Sequence, residues 1–315
     1  MRRPELDAVL GDINRIILGK ELPVRLALAC LLARGHLLIE DLPGVGKTTL
    51  AHVLARVLGL DFQRIQFTSD MLPADILGVS IFDRDSGAFH FHPGPIFARV
   101  VLADEINRAT PKAQSALLEA MEERQVTAEG ATRPLPEPFF VIATQNPANQ
   151  IGTFPLPESQ FDRFLLKIRI GYPSAEEEAA LTRHVTSRSS GADLSVEAVQ
   201  TVIQPATLLA LQQATAHVAV DDRVTQYAVA VVRATRESPN IACGAGPRGS
   251  IALVRVARAL ALMAGRGFTT PDDVKAAALP ALRHRIAPSA EAEIEGLGAD
   301  DLLLALLAQV AAPRT

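Results

Sequence analysis

Leu42-Pro43-Gly44-Val45-Gly46-Lys47-Thr48-Thr49 follows the apolar run 36–40 and opens a helical pattern. Leu50, Val53, Leu54, Val57 and Leu58 then recur at helical spacing, and Gly59 is its stop. A strand that turns through glycines into a helix is the setting a phosphate cradle requires. The glycines let the backbone curl so that its N–H groups point inward, and the positive end of the helix adds attraction for an anion. Pro43, Gly44, Val45, Gly46, Lys47, Thr48 and Thr49 would then touch a nucleotide's phosphates. Lys47 would reach the β- and γ-phosphates, and the Thr48 hydroxyl would ligate Mg2+. The strict pattern has glycine at position 41, where this chain carries Asp41. A ligand-free glycine turn is the plainer alternative; the Lys47-Thr48 pair in register argues against it.

Outward from this loop, five runs read as strands: 36–40, 62–67, 100–103, 139–144 and 165–170. Three are near-continuous apolar runs, as expected of parallel strands covered on both faces. Helical patterns lie between them. One opens at Thr110-Pro111, a capping residue and first-turn proline, and carries Ala113, Ala116, Leu117, Ala120 and Met121 on one face. The alternation predicts an α/β core with a five-stranded parallel sheet. Two insertions interrupt it, both with hairpin character: 79–92, turning at Asp85-Ser86-Gly87, and 125–133, turning at Glu129-Gly130.

After Gly171-Tyr172-Pro173 the character changes to helices without a convincing strand, as in the face Val224, Tyr227, Ala228, Val231 and Val232. Thr270-Pro271 opens another helix. The polar stretch 186–193 reads as the linker, giving a core of residues 1–188 and a small all-helical lid of residues 194–315.

Composition narrows the class. Of 315 residues 48% are hydrophobic and 21% charged, enough for real cores in a globular chain. The formal charge of −4 argues against a protein that coats nucleic acid. Of the two cysteines, Cys30 sits in the apolar run 26–32 and reads as packing. The double arginine at Arg2-Arg3 is followed by no apolar segment, and no run approaches the ~20 apolar residues of a membrane span, so a cytoplasmic protein is expected.

Val100-Val101-Leu102-Ala103-Asp104-Glu105 supplies the second half of the chemistry. Two acids ending an apolar strand are costly unless they face a ligand at its carboxyl end. Asp104 would hold Mg2+ and Glu105 would polarise an attacking water. Acids simply facing solvent would explain the pair alone, but not its place downstream of the loop. A carboxylate aimed at water favours hydrolysis over transfer to a second substrate. At the tip of strand 139–144, Asn146, in preference to Thr144, would orient water near the γ-phosphate; the alternative for Asn146-Pro147 is turn formation.

Five separated motifs now stand in order: Leu42 to Thr49, Asp104-Glu105-Ile106-Asn107-Arg108, Ala143-Thr144-Gln145-Asn146-Pro147, Leu156-Pro157-Glu158-Ser159-Gln160-Phe161-Asp162-Arg163-Phe164 and Gly246-Pro247-Arg248. Together with the two hairpins, they resemble the MoxR branch of the AAA+ ATPases, over residues 34–286. The resemblance implies ATP and Mg2+ as ligands, Asn146 as first sensor, Arg163 as the finger entering a neighbouring subunit's site, and Arg248 as second sensor in the lid. It also implies a homo-oligomeric ring, a hexamer, that remodels client proteins, among them proteins with a von Willebrand factor A domain, or assists metal insertion. The plainer reading of Arg163 is an ion pair with Asp162, and of Arg248 a helix-end contact. Arg108 reads equally as a relay or a local salt bridge.

His90 and His92 share a strand face, but two ligands make no zinc site, and a solvated hairpin face is expected. Arg283-His284-Arg285 reads as a polar helix face. The rival class is a DNA-acting AAA+ motor, such as a helicase or restriction subunit. It needs basic hairpins, whereas Arg84 lies between Asp83 and Asp85, and the charge of Arg133 is offset by Glu129 in the second hairpin. A third reading is a switch that binds ATP without hydrolysing it.

Overall fold

The computed structural model describes residues 3–128, 130–146, 152–186 and 199–313. Helices α1 (Pro4–Ile16) and α2 (Glu21–Leu32) precede β1 (Leu37–Glu40), the phosphate-loop turn and α3 (Lys47–Val57). Then come β2 (Phe62–Gln66), the short α4 (Pro73–Leu77), the hairpin β3 (Gly78–Asp83) and β4 (Ala88–Pro93), β5 (Val100–Asp104) and α5 (Pro111–Glu123). A second hairpin, β6 (Gln125–Ala128) with β7 (Ala131–Pro134), leads to β8 (Phe140–Gln145), α6 (Glu158–Phe161), β9 (Leu166–Ile168) and α7 (Ala175–Thr186). The five expected strands form one sheet in the order β2-β5-β8-β1-β9, every neighbouring pair parallel. Both expected hairpins are present and antiparallel; Glu129, at the expected second turn, lies outside the described residues.

Alternation along the strands separates two cores. Val100 and Leu102 of β5, and Phe140 and Ile142 of β8, join α1, α2 and α3 on one face. Val101 and Ala103, and Val141 and Ala143, join α4 and α5 on the other. Successive side chains of a strand point to opposite faces, so a continuous apolar run is what a doubly covered sheet needs. The edge strand β2 is different: Gln63, Arg64 and Gln66 are exposed.

The C-terminal part is helical: α8 (Pro205–Ala216), α9 (Asp222–Glu237), α10 (Pro247–Met263), α11 (Pro271–Leu282), α12 (Ala290–Ile294) and α13 (Ala299–Gln309). It differs from the strand-free expectation by a short antiparallel pair, β10 (Ile241–Cys243) with β11 (Ala287–Pro288). Segments of three and two residues are too short to carry an alternating pattern. The expected linker falls mostly in 187–198, outside the described residues. Helix α2 explains how the two parts adhere. Every residue from 26 to 32 is buried, because α2 packs against β9 and α1 on one side and α8 and α10 on the other. Cys30 is wholly buried there.

Arg283-His284-Arg285 is not a polar helix face. Arg285 turns inward, only 4% of its side chain exposed, and donates to Asp162 Oδ1 (2.7 Å) and the Phe164 carbonyl (2.7 Å). His284 meets the same carbonyl, and Arg283 pairs with Asp300 at 3.0 Å. Backbone carbonyls where β9 begins, with Asp162, compensate the buried guanidinium, so the run ties the helical part to the sheet.

Candidate active site

The carboxyl ends of β1, β5 and β8 converge on one cleft of about 380 Å3. Pro43, Gly44, Gly46, Lys47, Thr48 and Thr49 line it, with Asp104, Glu105 and Asn146 opposite. Gly44 and Gly46 have φ of +85° and +92°, and a Cβ at either would meet open space. Backbone conformation, not crowding, therefore demands glycine, and the open side is where phosphate oxygens would sit.

Lys47 donates to the Asp41 carbonyl (2.6 Å) and to Asn146 Oδ1 (3.1 Å). Burial lowers its pKa, against the opposing pull of Asp104, Asp41 and Glu105. The Asn146 amide nitrogen donates to Glu105 Oε1 at 3.2 Å, so one amide spans the lysine and the acid. Glu105 is a non-glycine residue in left-handed backbone (φ 57°, ψ 49°). Such strain costs of order 1 kcal/mol and persists only where surroundings enforce it. Here Thr144 enforces it: its hydroxyl accepts the Glu105 N–H (2.9 Å) and donates to Asp104 Oδ1 (2.5 Å). Thr144 thus orients both acids, while Asn146 faces the cleft. Arg108 pairs with Glu105 at 3.3 Å, a local salt bridge within one turn.

Two residues of this cleft carry no signature in the loop or the acidic strand. Arg64 grips Asp104 Oδ2 through Nε (3.1 Å) and a terminal nitrogen (2.6 Å), and Gln66 donates to Glu105 Oε2 at 3.2 Å. The signal was available in Phe62-Gln63-Arg64-Ile65-Gln66, where two polar residues share one face at a strand's carboxyl end. The donor set fits Mg2+: the Thr48 hydroxyl and the Asp104 carboxylate are hard oxygens in one cleft, and this ion commonly takes one or two protein oxygens and fills its sphere with water and phosphate.

A second cleft of about 340 Å3 shares Gly44, Gly46 and Thr49 with the first, and Val45 lines this side. Its far wall is mostly apolar: Ile16 at the end of α1, Ile17 and Leu18 beyond it, then Tyr172, Pro173 and Leu181, with Lys20, Glu177 and Glu178 beside them. A planar base continuing from the phosphate loop would fit between these walls.

Arg163 and Arg248 are not in either cleft. Both reach Glu122, at 2.9 and 2.7 Å, and Arg163 also donates to the Leu118 carbonyl. Arg163 does not pair with Asp162, which binds Arg285 instead and lies 3.8 Å from Arg248. The two arginines line a cleft of about 250 Å3 with Arg34, His36, Arg124 and Leu165, beside the amino ends of β1 and β9. His36 and Asp41 flank β1, so about 16 Å of strand separates this cleft from the phosphate loop.

His90 and His92 are exposed, as expected, and among the described residues no cluster of three or more His, Cys, Asp or Glu could hold a metal. No described helix is long and apolar enough to cross a membrane.

The sheet order, the loop, the acidic pair and the helical lid define a P-loop ATPase domain of the AAA class. A family model for the ATPase family associated with various cellular activities (AAA) matches residues 36–166, and one for the AAA lid domain matches residues 233–303. Chaperone MoxR1 of Mycobacterium tuberculosis is 40% identical over 98% of this chain and 82% of its own length. The uncharacterized protein YeaC of Bacillus subtilis is 46% identical over 98% of this chain and 95% of its own. A crystal structure from Cytophaga hutchinsonii, provisionally described as an ATPase, superposes with a TM-score of 0.90 at 36% identity, over 99% of this chain and 96% of that one. This chain belongs to the MoxR family of AAA+ ATPases.

Proposed function

We propose that this chain binds ATP with Mg2+ and hydrolyses it in a homohexameric ring whose sites are completed by the neighbouring subunit. The observation that carries the reading is the division of the site residues between the two ends of the sheet. Lys47, Asp104, Glu105 and Asn146 meet at the carboxyl end, whereas Arg163 and Arg248 meet on Glu122 near the amino ends. Two arginines so placed suit a triphosphate that another copy presents.

In the site, Lys47 neutralises the phosphate chain and Glu105 orients the attacking water, its carboxylate fixed by Asn146 and by its own backbone. Bound Mg2+, held by Thr48 and Asp104, would neutralise charge on the β- and γ-oxygens. Arg163 and Arg248 of a neighbour would exchange Glu122 for the γ-phosphate, a stronger acceptor. Hydrolysis then alters the angle between sheet and lid, shifting the hairpins against a client protein. A remodelling role agrees with the chaperone name of the mycobacterial relative; clients with a von Willebrand factor A domain are the class the family resemblance suggests. The described hairpins do not favour DNA, since Arg133 lies over the Phe91 ring and Arg84 stands between two aspartates.

Substituting Glu105→Gln tests the core of this. ATP binding should persist while turnover falls by about 100-fold or more, since the water loses its orienting carboxylate. An unchanged hydrolysis rate would remove Glu105 from that role.

A further inference from the structure

Asp41 stands where the strict phosphate-loop pattern has glycine, and all three of its oxygens beyond Cα are engaged. Oδ1 accepts the N–H of Leu42 at 2.9 Å, inside the loop itself. Oδ2 accepts two backbone N–H groups, from Ile170 and Gly171, each at 2.7 Å. Its carbonyl accepts the ammonium of Lys47 at 2.6 Å. The backbone N–H of Asp41 meets the Gln145 carbonyl at 3.2 Å, one residue before Asn146.

The two partners on Oδ2 are not part of the loop. They end the segment that follows β9, and Gly171, at φ +71°, turns the chain into Tyr172-Pro173. Those two residues form one wall of the apolar cleft beside the phosphate loop. The Tyr172 carbonyl is in turn held by Lys20 (2.7 Å), which lines the same cleft from the opposite strap. One carboxylate therefore joins the wall of the base cleft to the residue that fixes Lys47. Hydrogen bonds to an ionised carboxylate are short and about twice as strong as neutral ones. A glycine here would leave the Ile170 and Gly171 N–H groups without that acceptor and release the wall from the loop.

We propose that Asp41 is a positioning residue that couples the two halves of the nucleotide, setting the base cleft at a fixed distance from the phosphate loop so that base and phosphates bind cooperatively. The proposal rests on the reading of these clefts as one ATP site. Its consequence is selective. Losing Asp41 should weaken ligands that span both clefts and spare ligands that fill only the phosphate cleft.

The test compares dissociation constants of Mg·ADP and inorganic tripolyphosphate for the full wild-type chain, Asp41→Gly and Asp41→Asn, by calorimetry. The ratio of the two constants within one protein does not depend on the fraction folded, so partial misfolding of a variant does not mimic the effect. For Asp41→Gly, affinity for ADP should fall about tenfold while tripolyphosphate stays within about twofold. Asp41→Asn, which keeps an oxygen acceptor but loses the charge, should fall between, and it carries the comparison if the glycine variant does not fold. An unchanged ratio, whether both affinities fall together or neither moves, would overturn the coupling. Failure of the wild type to bind ADP would instead overturn the reading of the clefts as a nucleotide site.

Discussion

His36 ends the connection into β1 as a neutral side chain sealed in the core: Nδ1 accepts the Val141 N–H at 3.0 Å, and Nε2 faces the Met121 carbonyl at 3.2 Å. Those contacts require the proton on Nε2. Burial, with the nearby Arg124 and Arg255 charges, lowers its pKa from 6.5 to about 3. Below 6.5 the unfolded chain takes up a proton that the folded chain refuses. This stabilising contribution is complete above pH 6.5 and is lost progressively as pH falls toward 3. One such group gives a slope of up to about 1.4 kcal/mol per pH unit. Urea midpoints measured from pH 7 to pH 4 should fall steeply, and His36→Gln should fall less steeply by that one proton; parallel curves would show that His36 takes up its proton in the folded chain. His284 is shifted downward in the same sense by burial and Arg285, so part of the slope remains in the variant. Among single residues, the chemically loaded ones were legible because chemistry fixes their spacing: the Lys47-Thr48 pair, Asp104-Glu105 and Asn146 all reach one cleft. Arg64 and Gln66 left one local trace, a polar pair on one face of β2, but what that pair would touch depends on β2 lying beside β5, a pairing that no local pattern encodes. Arg285 was misjudged because three charged or polar residues in a row look solvated until a partner such as Asp162 folds over them.

The two hairpins show what an element can conceal from its own sequence. Each was legible from alternation and a turn, but nothing in either indicates that they touch. The Arg133 guanidinium of β7 lies 3.7 Å from the centroid of the Phe91 ring on β4, and Phe91 packs edge-on against Phe97. Arg133 is thereby removed from any basic surface, and the hairpins are joined at their bases. The distal part of the first hairpin stays open, with Ile81, Phe82 and Phe89 half or more exposed and the two phenylalanines stacked edge to face. Arg133→Ala should loosen this joint by about 1 kcal/mol, the worth of a partly exposed cation–π contact. Hydrogen exchange of the β3 and β4 amides should then quicken by about fivefold. Unchanged exchange in that hairpin would mean that the contact contributes nothing to its position. Strand identities were similarly legible, because doubly buried strands need continuous apolar runs. The order β2-β5-β8-β1-β9 was not, since parallel pairing across helical crossovers leaves no register signal in one chain.

At the scale of the molecule, α2 and the Arg285 anchor fasten the lid to the amino-end side of the sheet, which brings Arg248 to Glu122 beside Arg163. Which subunit Arg248 serves is a question the sequence alone leaves open, because it turns on how the lid docks. This geometry bears on it directly. Glu122 holds both guanidinium groups on one surface, so a neighbour offering its phosphate loop to that surface would meet the two arginines together. The arrangement predicts complementation between two inactive chains. Lys47→Ala lacks a working phosphate loop but keeps Arg163, and Arg163→Ala keeps the loop but should lose about 1,000-fold in turnover without its finger. Mixed in equal amounts and allowed to exchange, the two chains place a sound loop against a sound finger at about one interface in four of a randomly assembled ring. ATPase activity of the mixture should therefore recover to about a quarter of the wild-type value if each interface acts independently. If Arg163 served the site of its own chain, no pairing of the two variants would contain a complete site, and the mixture would stay as inactive as its parts. Sizing the mixture with ATP present separates that outcome from a failure to assemble: a ring without activity would remove the trans role from Arg163, and a monomer throughout would remove the ring.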